Sequence, residues 1–247
     1  MRISWKEFKA IASDDVEADG AYIYRGQSDS TWPLKSSLFR TDIANNASDV
    51  VGYVNHVLPQ VQEPVEAWSG KSWNLADFYG LAEFLAYLQH YGFPTPLLDF
   101  SASPYVAAYF AFAGVDHFKP KSDEVAIYRF SRRLWMNKFN EKTGIANTSP
   151  TVKVLMPYIR GNHKLALQQG LFLWANTPDI EEHVKNHEEF EGQFLSKYTL
   201  SVTDRPRVIM ELSLMGISAV QLDPSIESVC KKALEDIIGL TPMKKSR

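Results

Sequence analysis

Apolar positions along the chain follow two rhythms, and each predicts a different kind of element. Over residues 48–68 they recur as Val50, Val51, Val54, Val57, Leu58 and Val61, the spacing of one helical face, with Pro59 and Pro64 as expected breaks. Over 73–91 a stronger stripe of Leu75, Phe78, Leu81, Ala82, Leu85 and Leu88 predicts a helix that Gly92 ends. Further helices are expected over 5–12, 132–138, 179–190 and 205–215. A last amphipathic helix over 223–238 is expected to bury Ile226, Val229, Ala233, Ile237 and Ile238. The second rhythm is short: runs at 21–24, 97–100, 124–130, 152–156, 171–175, 195–202 and 217–222 read as strands. Residues 141–150 read as a polar loop and 241–247 as a frayed tail. Strands and helices do not alternate one for one, so the pattern predicts an α+β fold over a doubly wound sheet. No repeat, low-complexity tract or linker divides the chain, which reads as one domain over 1–247 with its core at about 20–240.

Polar groups capable of chemistry gather at the joints of one stretch, 88–113, LQHYGFPTPLLDFSASPYVAAYFAFA. Gln89 and His90 stand where a helix ends. Asp99, Ser101 and Ser103 stand where a strand passes into the next helix. Side chains at the ends of buried elements sit on rigid supports. Capping explains the same serines and aspartate equally well, and a cap and a site are compatible. A second joint lies at Tyr24-Arg25-Gly26-Gln27. An arginine at a strand end beside a glycine turn suits a phosphate or carboxylate, or pairs with a structural acid such as Asp99.

Composition narrows the partners. Hydrophobic residues make up 45% of the 247, which marks a globular protein, and the net charge of -3 does not demand nucleic acid, although a local basic groove is compatible with it. Aromatics reach 13%, many beside the polar joints. Cys230 is the single cysteine, so internal disulfides and cysteine-based metal clusters are excluded. His183 and His187 lie four apart among acids, but not in a metalloprotease order. The start lacks a secretion signal and no apolar run reaches a membrane span, so a soluble, cytoplasmic protein without a membrane or metal partner is expected.

Three blocks together resemble the FRG domain family, named for a Phe/Tyr-Arg-Gly motif: YRGQ at 24–27, QHYGFPTPLLDFSASPYVAAYFA at 89–111, and QQGLF at 168–172. The closing LMGISAVQLDPSIES at 214–228 is similar to the family's last segment, and Phe100 replaces its usual tryptophan. The motif order is also similar, more distantly, to that of ADP-ribosyltransferases. That likeness implies split mixed or antiparallel β-sheets with flanking helices, NAD as co-substrate, and a macromolecular acceptor, whether RNA, DNA or protein. It further implies a toxin or phage-defence role, with an antitoxin protein as a possible partner in a toxin–antitoxin pair. The likeness would set Arg25 first, then the segment 99–103, then Gln168 or Gln169; with His90 added as a base on its own chemistry, the expected catalytic residues are Arg25, His90, Asp99 and Gln169. NAD contacts would come from Tyr24, Arg25, Gly26 and Gln27, and from Tyr91, Ser101, Ser103 and Phe172.

The residue chemistry fits those roles. Arg25 suits a phosphate, an aromatic ring suits nicotinamide, Asp99 or Gln169 suits ribose, and His90 suits acceptor activation. QQGLF holds no glutamate, which argues against modification of arginine side chains and leaves a nucleic-acid base, a small group or NAD hydrolysis. A binding-only module and a nuclease or hydrolase using His90 and Asp99 are the competing classes.

Overall fold

The computed structural model describes residues 1–17, 22–41, 43–116, 120–139, 148–156 and 163–239. The expected loop at 141–150 falls mainly outside these residues, and the tail at 241–247 wholly so. From the start of the chain come α1 (Trp5–Glu17) and β1 (Tyr22–Gln27). Then α2 (Ala47–Gly52) runs through a π turn at Tyr53–Val57 into α3 (Leu58–Ser69), so neither expected proline break divides the segment. Pro59 stands just after the π turn and Pro64 lies inside α3, so the continuous segment carries both prolines. Next is α4 (Phe78–His90), which opens on Asp77, whose carboxylate accepts from Gly80 N at 2.9 Å. It closes at Gly92, whose φ of +83° suits glycine.

After β2 (Leu97–Ser101), Ser103 caps α5 (Pro104–Ala113) by accepting from Val106 N, and Pro104 takes the first turn. The chain continues as β3 (Glu124–Ser131), α6 (Arg132–Lys138), β4 (Val152–Leu155), α7 (His163–Leu167), β5 (Gly170–Ala175) and α8 (Ile180–Lys185). It ends in β6 (Leu195–Ser201), α9 (Arg205–Leu214), α10 (Ala219–Leu222) and α11 (Ile226–Gly239). The run at 217–222, read as a strand, is thus mostly the short helix α10.

Among the described residues the strands form a six-stranded sheet in the order β4-β5-β2-β1-β3-β6, with every pairing of these strands antiparallel. The fold is α+β, as the pattern predicts. Instead of separate sheets there is a seam. β1 pairs with β3 from Tyr22↔Ser131 to Gln27↔Ala126, and β2 pairs with β5 from Leu97↔Trp174 to Ser101↔Gly170. Between β1 and β2 only Tyr24↔Ser101 is in register. Past that point the two halves of the sheet part.

Strand alternation sorts the core into faces. Ile23, Leu98, Phe100, Tyr128, Phe130 and Leu173 lie in a cluster with Trp135 of α6 and Val184 of α8. On the opposite face, Tyr24, Val125, Ile127 and Leu200 pack with Trp5, Phe8, Phe112 and Leu212 of α1, α5 and α9. Leu97, Phe172 and Trp174 pack instead with Val50, Tyr53, Phe84 and Leu85 of α2, the π turn and α4. That face therefore has two cores, one on each side of the seam. Asp15 of α1 ties the helix to the sheet: it accepts from Tyr24 Oη at 2.5 Å and from Arg129 Nε at 2.7 Å. No helix among the described residues is long and apolar enough to cross a membrane.

The last helix reverses the expectation drawn from its sequence. Ser228 and Glu235 are its buried positions, while Ile226, Val229 and Ile237 are exposed. Glu235 faces inward because it accepts from Tyr109 Oη at 2.9 Å and lies near the buried Arg205 guanidinium. Ala233 is exposed as well, and the Ile238 side chain lies outside the described ones.

Candidate active site

The seam is where the two halves of the central motif meet the first one. Arg25 leaves β1 just beyond the last registered pair, and its Nη1 donates to the backbone carbonyl of Asp99 at 2.7 Å. A side chain thus spans the gap where a ladder bond is missing. The guanidinium lies 3.8 Å from Asp99 Oδ2, and the Arg25 side chain is only 19% exposed against 65% for Asp99. A buried cation therefore leans on a carboxylate that faces solvent. Burial draws the Arg25 pKa down. Asp99 opposes that shift, and the nearby Arg40 adds to it. Arg25 Nε is buried and has no hydrogen-bond partner, which leaves a strong donor free for an anion.

Asp99 is positioned by the first joint of the motif. Gln89 Nε2 donates to Asp99 Oδ1 at 2.7 Å, and Gln89 Oε1 accepts from the hydroxyl of the fully buried Thr95. The QHYGFPT segment at 89–95 thus works through its glutamine and threonine. Because α4 must end before β2 begins, its last turn lies beside the middle of β2, and Gln89 reaches across. Both residues stand in the motif block; the sequence reading marks Gln89 as a polar group at the joint without a role, and does not single out Thr95. Amide-to-carboxylate pairing across a turn has no periodic signature.

A hollow of about 380 Å³ opens at the seam, lined by Tyr24, Arg25, Gly26, Asp99, Phe100, Ser101, Ala107, Phe110 and Gln168. Ser101 Oγ donates to the Gln168 carbonyl at 2.7 Å and accepts from Ser103 N at 3.0 Å, so it ties QQGLF to the start of α5. Gln168 Nε2 reaches the Leu222 carbonyl at 3.3 Å. A second hollow of about 620 Å³ shares Arg25, Gly26 and Phe110 with the first. Its remaining lining is Gln27, Ser28, Trp32, Pro33, Lys35 and Arg40.

Several expected contacts lie elsewhere. Phe172 is 3% exposed within the core that includes Leu97 and Trp174, so it has no face to offer a ligand. Phe172 is registered opposite Asp99 and so shares its face of the sheet, but α4 packs over Phe172 and leaves Asp99 open. His90 and Tyr91 are exposed and line neither hollow. The Tyr91 ring lies 4.9 Å from that of Tyr87 and 5.0 Å from that of His90. Gln169 is exposed with φ of +47°, and its neighbour Gln168 lines the hollow in its place. Tyr24 lines the hollow, but its hydroxyl is committed to Asp15. Ser103 spends its hydroxyl on the cap of α5. At Gly26 an added Cβ would stand 1.9 Å from the Ala107 carbonyl oxygen, so close packing of α5 on β1 requires this glycine. Gln27 is buried and donates to the Pro33 carbonyl at 3.2 Å.

Residues 20–120 match the family model of the FRG domain. No curated protein and no solved structure matches the chain.

Proposed function

We propose, from the match of residues 20–120 to the FRG domain model and from the geometry of the seam between β1 and β2, that the chain is an NAD-dependent ADP-ribosyltransferase acting at that seam. One observation carries the reading: a buried guanidinium with a free Nε stands beside an exposed, hydrogen-bonded carboxylate at the wall of a polar hollow. Cleavage of the nicotinamide–ribose bond develops positive charge on the sugar while the pyrophosphate stays anionic. Arg25 answers the anion by charge-assisted hydrogen bonds. Asp99, aimed by Gln89, answers the cation, and it does so without reorganising at the moment of reaction. Ser101 and Gln168 fix the far wall. A sheet parted at one place supports a transferase-like arrangement, because the parting lets a ligand reach strand residues that a closed ladder would bury.

The test is nicotinamide release and transfer of labelled ADP-ribose by pure protein with cell extract or RNA. Arg25→Met and Asp99→Asn are each expected to lower the rate by about 100-fold or more, as losses of preorganised charge do. Absence of both release and transfer, or full activity in Arg25→Met, sinks the proposal. One observation favours a second reading as a binding module: His90, an expected acceptor base, lines neither hollow. In that case NAD raises the melting temperature and is recovered intact.

A further inference from the structure

The second hollow differs in character from the seam. Its cations are Arg25, Lys35 and Arg40. Arg40 Nη1 donates to the Lys35 carbonyl at 2.5 Å, which folds the 30–40 loop so that both side chains line one wall. Among the described residues neither Lys35 nor Arg40 has an ion-pair partner. Arg25 has only the distant Asp99 carboxylate. Arg40 lies close enough to Arg25 to depress its pKa, a repulsion that a bound anion would relieve.

Aromatic rings complete the wall. Trp32 is 46% exposed and Phe110 is 40% exposed, although each is a large apolar group on a face that also carries the cations. Gln27, 7% exposed, lines the same hollow and keeps a buried Oε1 without a hydrogen-bond donor. An unmet acceptor beside exposed rings and unpaired cations matches the amino group, the π face and the phosphates of a nucleotide. Two loop cations besides Arg25 exceed what one phosphate uses. The net charge of -3 shows that this positive patch is local and not a property of the whole surface.

We propose that this second hollow binds single-stranded polynucleotide, and that the bound strand is the acceptor of the reaction at the seam. Trp32 and Phe110 stack a base while Lys35 and Arg40 hold flanking phosphates. The shared wall of Arg25, Gly26 and Phe110 brings that base next to the seam hollow. In transfer, a base nucleophile forms the new bond to the ribose carbon, nicotinamide leaves with the electron pair of the broken bond, and the acceptor's proton passes to solvent. Strand binding stands without the transferase reading; the acceptor role rests on it.

The experiment is fluorescence anisotropy with labelled dT and U oligonucleotides at several salt concentrations, without NAD, alongside a single nucleotide and an acidic peptide as competitors. Binding to either oligonucleotide is expected, the two arms distinguishing DNA from RNA, with log K falling against log salt at a slope of about -1.4 to -2.1 for two to three phosphates. Trp32→Ala should weaken binding by about 10-fold. Arg40→Glu should flatten the slope by about 0.7. Melting curves of both variants establish that they are folded; if Trp32→Ala fails to fold, Arg40→Glu, at an exposed position, decides alone. Absent binding, competition by the single nucleotide or acidic peptide at equal concentration, or unchanged affinity in the folded variants overturns the proposal. Nicotinamide release measured separately without oligonucleotide reports on the seam chemistry, so the two failures are distinguishable.

Discussion

His183 shows what a single environment does to a side chain that the sequence presents as one of a pair. It is half-buried, its ring is 4.7 Å from that of His187 and 6.2 Å from that of Trp135, and burial with His187 lowers its pKa from 6.5 to about 4. In the unfolded chain the same group takes up a proton near pH 6.5, so between about 6.5 and 4 the unfolded state holds more protons. Stability from this residue is therefore complete above that window and lost as pH falls through it. Urea melts of His183→Gln and the parent at several pH values check this: the gap between them should narrow as pH falls from 7 to 4. A constant gap refutes it.

At the scale of elements, two positions decide how the site is held. Gly26 lets α5 lie against β1, since an added Cβ would also stand 2.6 Å from Ala111 N. Backbone cannot yield as a flexible side chain does, so Gly26→Ala should cost about 1–3 kcal/mol and displace the wall shared by both hollows. Chemical denaturation measures this, and a loss under about 0.5 kcal/mol contradicts the packing account. The second position is Asp77, which caps the helix that delivers Gln89. Asp77→Ala should cost about 1 kcal/mol by the same measurement. The 89–99 segment is legible as a joint in the sequence because glycine and proline punctuate it. Its internal wiring of Thr95 to Gln89 to Asp99 is not, because it depends on where α4 ends relative to β2.

Across the whole molecule, α11 is the element whose sequence and placement disagree most. Its periodicity is that of a half-buried helix, yet Ile237 is 64% exposed while Glu235 is 5% exposed. Polar attachment to Tyr109 and proximity to Arg205 set its rotation about its own axis. Ile237→Ser is therefore expected to change stability by no more than about 0.5 kcal/mol. By contrast, Leu212→Ala, at a fully buried position of α9, should cost about 2–5 kcal/mol. A large loss in Ile237→Ser, measured on the same denaturation axis, removes this account of the helix.

Local pattern determined the α+β class, most helices and strands, and the stretches in which the chemistry-bearing residues lie, because those follow from the repeat of side chains along one element. It also indicated a link between Arg25 and Asp99, since an arginine at a buried strand end needs an acceptor. Only the tertiary structure decided that the sheet parts between β1 and β2, that Phe172 is core, that His90 lines neither hollow and that Gln89 aims Asp99. Those outcomes depend on strand order and on which face of each element is covered, and residues far apart in sequence set both.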